Sequence, residues 1–138
     1  SVFMENKPAH LERMTAVLEE AGINIRAITI ATGSSGCGVL NLLVDHPEKA
    51  RQILQDSHHT AILRRIMVVE LEDRPGGLRK VLTVLRQADF NVENAYGSVL
   101  GREKKAILVI DVENVDRAEE ILTRAGIKLL TDSEIDAL

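Results

Sequence analysis

The chain has 138 residues, 45% of them apolar and 28% charged, with a formal net charge of −4 spread along its length. That composition suits one soluble globular domain or two very small ones, and it lacks the basic block that would meet nucleic acid or an anionic membrane. No apolar run approaches the ~20 residues needed to span a bilayer, no signal-peptide pattern is present, and Cys37, the single cysteine, allows no intrachain disulfide and points to a reducing cytoplasm. The aromatics are Phe3, Phe90 and Tyr96, so the core has to be built from Leu, Ile, Val and Ala. The sequence opens at Ser1, almost inside a strand-like stretch, which suggests that a few leading residues precede it.

Val2 to Glu5 reads as a short strand. Leu11, Met14, Val17, Leu18 and Ala21 then recur at helical spacing, and Gly22 ends that helix. INIRAITIAT (23–32) alternates like a strand, GSSGCG (33–38) is a turn, and VLNLLVD (39–45) is a second apolar strand. A short helix from Pro47 to Leu54 turns Ala50, Ile53 and Leu54 inward, and HTAILR (59–64) closes the set. The same order follows again. IMVVELE (66–72) is a strand, and Leu78, Val81, Leu82, Leu85 and Ala88 form a helical stripe. NVENAYGSVL (91–100) and KAILVIDV (105–112) form a hairpin around Gly101, Val115 to Ala125 is a helix, and IKLLT (127–131) is the last strand. The acidic end TDSEIDAL (131–138) reads as a short helix or a frayed terminus.

The recurrence extends to residue identity. Aligning Glu5 with Glu72 through to Ile25 and Val92 gives seven identities in 21 positions. Further on, VLNLLVDHPEKARQIL (39–54) matches ILVIDVENVDRAEEIL (107–122) with the register shifted by one. One βαββαβ unit is therefore present twice, over 1–65 and 66–138. The predicted class is α+β: two tandem ferredoxin-like units with antiparallel sheets and the helices of each on one face. IMVV (66–69) and AILVI (106–110) are apolar without a break, so the face away from the helices should also be covered. Units packed side by side, or subunit on subunit, would do this, and an extended sheet and a homodimer are expected.

Each copy joins its first strand to its first helix through one turn, ENKPAHL (5–11) or EDRPGGL (72–78). Pro8 and Pro75 are expected at the helix start, where a missing N–H does no harm. The turn is either a reversal that any duplicated fold keeps or a ligand cradle. The cradle would rest on the unpaired N–H groups and positive dipole end of a helix, which favour a carboxylate, and on Gly76 and Gly77, which let a ligand approach the backbone.

With the βαββαβ order and the NI (24–25) or NV (91–92) opening of the second strand, these turns resemble the ACT domain, and the whole chain resembles the small stand-alone tandem ACT proteins. The resemblance implies a non-catalytic regulatory module that binds a small effector, most often an amino acid, where two units meet. One unit would supply the turn: Asp73, Arg74, Pro75, Gly76, Gly77 and Leu78, or Asn6, Lys7, Pro8, Ala9, His10 and Leu11. Its neighbour would supply second-strand residues: Asn24, Ile25 and Arg26, or Asn91, Val92, Glu93 and Asn94. Ala9 and His10 depart from the family's two glycines. Either His10 reaches the ligand or it is a surface residue without a role. The alternative is a docking module for a partner enzyme, with no small ligand.

Other motifs carry less. GSSGCG joins two strands, unlike a phosphate loop, which leads into a helix, and Cys37 reads as a small residue entering a strand. His58 and His59 point to opposite faces of a strand, and no zinc spacing links them to His46. RNA-binding sheets of this order need surface aromatics and basic grooves, which the composition denies. Ser34 and Ser35 lack evident His–Asp support, and EKAR (48–51) and DRAEE (116–120) read as solvated helix faces. No enzyme activity, metal or cofactor is expected.

Overall fold

The computed structural model describes every residue except Asn6, Pro8, Ser34, Ser35, residues 101–104 and Leu138, together with the side chain of Leu100. The expected centre of the second hairpin at Gly101 therefore lies outside the described residues. Alternation of apolar positions produces the strands and helical spacing the helices, in two units, Ser1–Arg64 and Arg65–Leu138. The first runs β1 (Val2–Glu5), α1 (His10–Glu20), β2 (Ile25–Thr32), β3 (Cys37–Val44), α2 (Pro47–Asp56) and β4 (Thr60–Ala61). The second runs β5 (Met67–Glu72), α3 (Gly77–Gln87), β6 (Asn94–Leu100), β7 (Lys105–Asp111), α4 (Val115–Arg124) and α5 (Asp132–Asp136).

The described strands hydrogen-bond as two antiparallel sheets, β2-β3-β1-β4 and β5-β7-β6. The last strand of each copy is shorter than the sequence implies. In the first, only Thr60 and Ala61 pair with β1. In the second, residues 127–131 form no strand, and Leu129 makes an isolated bridge to Val69. Two backbone bonds flank it, Glu70 N–H to the Lys128 carbonyl (2.9 Å) and Leu130 N–H to the Val68 carbonyl (2.8 Å). The second strands also start late, at Ile25 and Asn94, because the residues before them close the preceding helices. Ile23 N–H bonds the Leu18 carbonyl and Phe90 N–H the Leu85 carbonyl, both at 2.9 Å, after a left-handed residue, Gly22 or Asp89.

Each unit has its own apolar core under its helices. Val2, Met14, Leu18, Leu40 and Leu54 centre the first, and Met67, Val69, Val81, Leu85, Ile110 and Leu122 the second. On β5 and β7 the intervening residues, Val68, Ile107 and Val109, are buried as well, as the unbroken apolar runs require. Two members of the predicted α3 stripe depart from expectation. Leu78 is 46% and Leu82 38% exposed, because α3 lies on the sheet through Val81 and Leu85 and leaves both leucines on its flank.

Both strand-to-helix turns place a left-handed residue just ahead of the helix and a backbone hydrogen bond across it. Gly77 N–H bonds the Arg74 carbonyl at 3.0 Å, and Gly76 is left-handed at φ 91°, ψ −11°. This is a type II turn with Pro75 second and Gly76 third. Pro75 thus sits two residues ahead of the helix, correcting the expected first helical position, because its fixed φ serves the turn. In the first unit His10 N–H bonds the Lys7 carbonyl at 3.2 Å and Ala9 is left-handed at φ 69°, ψ −8°; Pro8 lies outside the described residues. Gly77 is required for a different reason: a Cβ there would stand 2.2 Å from the Glu72 carbonyl oxygen.

Two stability outcomes follow from the turns. Ala9→Gly should stabilise the protein by about 1 kcal/mol, because a left-handed conformation strains an alanine by roughly 1–2 kcal/mol and glycine gives back part of that in unfolded-state entropy. Gly77→Ala should destabilise by about 1–3 kcal/mol, the usual result of forcing a methyl into a filled space. Urea unfolding of the two variants beside the parent measures both.

Candidate functional site

The described residues of each predicted turn are exposed or half-buried at the surface of their unit. In the first turn Lys7 pairs with Glu5, and in the second Arg74 pairs with Glu72. The Lys7 ammonium, hydrogen-bonded to Glu5, holds that carboxyl below the ordinary range, and Glu5 raises Lys7 in return. The basic residue of each turn is therefore held back on the acid at the strand end. Asp73 is exposed, and Asn6 lies outside the described residues. His10 does not stand free: its Nδ1 donates to the Glu5 carbonyl at 3.1 Å, bracing the turn where the second unit relies on glycine.

Both helices that follow start without a side-chain cap. By contrast, Asn114 caps α4 and Thr131 forms a full capping box with Glu134 on α5. Glycine or alanine at the cap position leaves the second and third N–H groups of α1 and α3 directed outward with no side chain to accept from them. A Cβ built on Gly76 meets nothing within 4 Å, so the space in front of the α3 start is open. Such an end attracts a carboxylate through its N–H groups and dipole.

The second-strand residues are anchored elsewhere. Asn24 N–H bonds Asp45 Oδ1 (3.1 Å), and Asp45 N–H bonds the Asn24 carbonyl (3.2 Å). The Asp45 carboxyl is lowered, first by its hydrogen bond to His46 and then by the Asn24 N–H. Ile25 and Val92 pack against their cores, so their side chains are structural. Arg26 sits where the β2–β3 register shifts. Asn91 is exposed, Glu93 N–H bonds the Asp111 carbonyl at 2.9 Å, and Asn94 stands opposite Asp111.

Register separates the two sets within a unit. Glu5 pairs with Cys37 and Ile25 with Val44, so the turn and the β2 opening lie at opposite ends of the sheet, about 23 Å apart at about 3.3 Å per residue. In the second unit Glu72 pairs with Lys105 and Asn94 with Asp111, a separation of about 20 Å. One unit alone does not bring the predicted residues together.

A feature not anticipated from sequence lies beside the first turn. A groove of about 760 Å³ runs over the sheet face away from the helices, with Phe3, Glu5, Ala31, Thr32, Cys37 and Val39 in its lining. Phe3 is 46% exposed, although its neighbours Val2 and Met4 belong to the core. The signal was present in β1, where a large aromatic occupies the phase opposite to the core. Among the described residues no three His, Cys, Asp or Glu converge as a metal site, and no helix is long and apolar enough to cross a membrane.

Comparison with known proteins agrees with this architecture. The solved structure of protein BT0572 from Bacteroides thetaiotaomicron is 31% identical and superposes with a TM-score of 0.89, covering 99% of this chain and 93% of that one. The ligand-free regulatory subunit of aspartate kinase from Thermus thermophilus matches at 18% identity and a TM-score of 0.64, over 90% of this chain and 87% of that one. The regulatory subunit of aspartate kinase from Thermus flavus gives 18% and 0.58, over 91% and 88%. No curated protein matches the sequence. The family model of the ACT domain pair matches residues 1–138 in full, and the chain belongs to that family.

Proposed function

We propose that this protein is a regulatory module that binds a small effector, an amino acid, at an interface between ACT units and has no catalytic role of its own. The observation that carries the reading is that α1 and α3 both start without a side-chain cap behind a left-handed residue, with open space in front of the α3 start. An amino acid matches that chemistry. Its carboxylate would accept from the helix-start N–H groups near Leu78 and Arg79, and its ammonium would be met by oxygens on the second strand of another unit, from Asn24, Asn91 or Asn94. The roughly 20 Å between turn and second strand within a unit is the reason a second unit is needed. The second turn is the better site, because glycine leaves its approach open whereas Ala9 and the braced His10 narrow the first. The shared fold with aspartate kinase regulatory subunits is in keeping with a regulatory setting.

Thermal unfolding against each of the 20 amino acids at millimolar concentration tests the reading. Free ligand at about 100 times its Kd adds about 2.7 kcal/mol, a rise of several degrees for units of this size. The expected result is a rise with one or two related amino acids, abolished in Gly76→Ala. That variant should stay folded, since alanine already occupies the same backbone conformation in the first turn. No rise with any of the 20 would overturn the effector reading and favour docking to a partner enzyme.

A further inference from the structure

The two copies differ in kind around the groove beside the first turn, and cross-strand register gives the correspondence between them. Phe3 stands opposite Val39 and Glu70 opposite Ile107, while Glu5 stands opposite Cys37 and Glu72 opposite Lys105. Phe3 therefore corresponds to Glu70, and Cys37 to Lys105. In the second copy Glu70 forms ion pairs with Lys105 and Lys128, each at 3.5 Å. The chain's own charges close that spot. In the first copy an aromatic ring and a thiol stand in place of the pair, and Phe3 is left nearly half exposed in the wall of the groove of about 760 Å³.

Ala31, Val39 and Phe3 stand side by side across β2, β3 and β1, so their side chains share one face and form an apolar row. Glu5 lies two residues farther along β1 on that same face, about 7 Å from the row. A space of this size suits a small molecule, and Glu5 is the one charged side chain in its lining. Lys7 pairs with Oε2 of that carboxylate and holds the carboxyl below its ordinary range, so it is charged at neutral pH. A carboxylate accepts through both of its oxygens, which leaves room for a second ammonium beside that of Lys7.

We propose that this groove binds a small amphiphilic amine, with its apolar body across Phe3 and Val39 and its ammonium on Glu5. The distance of about 7 Å between the apolar row and Glu5 matches a head group carried on a short aliphatic or arylethyl chain. A fatty acid or a free amino acid fits poorly. Its carboxylate would lie beside Glu5, with no cationic side chain in the lining to receive it. The second copy forms no equivalent site, because Glu70 and its two lysines occupy the place. The groove thus prefers the head-group charge opposite to the one a helix start attracts. This inference stands independently of effector binding.

Proton NMR reads the groove directly, because Phe3, Phe90 and Tyr96 are the only aromatic residues and the Phe3 ring signals are easily followed. Hexylamine, hexanol and hexanoate share one apolar body and differ in head-group charge. Probes this small should bind with a Kd of about 1 mM at best, so each is titrated to about 10 mM. The Phe3 signals should shift with hexylamine at lower concentration than with hexanol, and hardly at all with hexanoate. The Phe90 ring, packed on the core of the second unit, should stay still. Glu5→Gln should remove the preference for amine over alcohol, about two- to five-fold for an exposed charge pair. Phe3→Glu with Cys37→Lys, which carries the second copy's pair into the first, should abolish binding of all three probes. Circular dichroism checks that the variants remain folded. Hexanoate binding as well as hexylamine would overturn the proposal, as would a preference for the amine that survives Glu5→Gln. No shift with any probe would also overturn it, and would assign the groove to contact with a protein surface.

Discussion

A strand and the helix that lies back over it run in opposite directions, so the chain must reverse between them within a few residues. In this protein a single left-handed residue ahead of the helix makes the reversal, with the next residue brought hard against the strand's last carbonyl. The Gly77–Glu72 approach fixes where α3 leaves the sheet, and hence which of its side chains reach the core. Val81 and Leu85 go in; Leu78 and Leu82 stay out. It also explains the bare helix starts. A position that must be left-handed is filled by glycine or alanine, and neither carries an oxygen to cap the N–H groups that follow.

The first copy meets the same constraint with poorer materials. Alanine takes the left-handed position under strain, and histidine stands where the second copy has the glycine that lets α3 start close against the strand. His10 offsets part of this by donating to the carbonyl of Glu5, which ties the helix start to the strand end. The left-handed residue ahead of the helix is thus kept while the chemistry around it has drifted.

The order of elements was legible in the sequence because core-facing periodicity is a strong physical signal. Met14 and Leu18, or Val81 and Leu85, mark their helices without help from the fold. The unbroken apolar runs of β5 and β7 likewise announced burial on both faces. What the sequence did not reveal was set by tertiary geometry. The phase of α3 on its sheet excludes Leu82 from the core although its spacing fits the stripe. The final strands are shorter than their apolar patterns imply. Pro75 belongs to a turn that helix-start statistics do not describe. The turn residues of the candidate site were legible from repetition. The groove at Phe3 was signalled only by that residue's phase, because the rest of its lining is assembled across three strands.

The double burial of β7 has a consequence for how the molecule loosens. Its backbone is hydrogen-bonded on both edges, to β5 and β6, and residues 106–111 are buried on both faces. The matching strand of the first copy, β3, keeps most of its length half-exposed. Amide protons of β7 are therefore expected to exchange with solvent last, and only through near-complete unfolding, whereas those of β3 can escape through smaller, cheaper openings. The two copies should therefore differ in rigidity, with fluctuation concentrated in the half whose central strand is less covered.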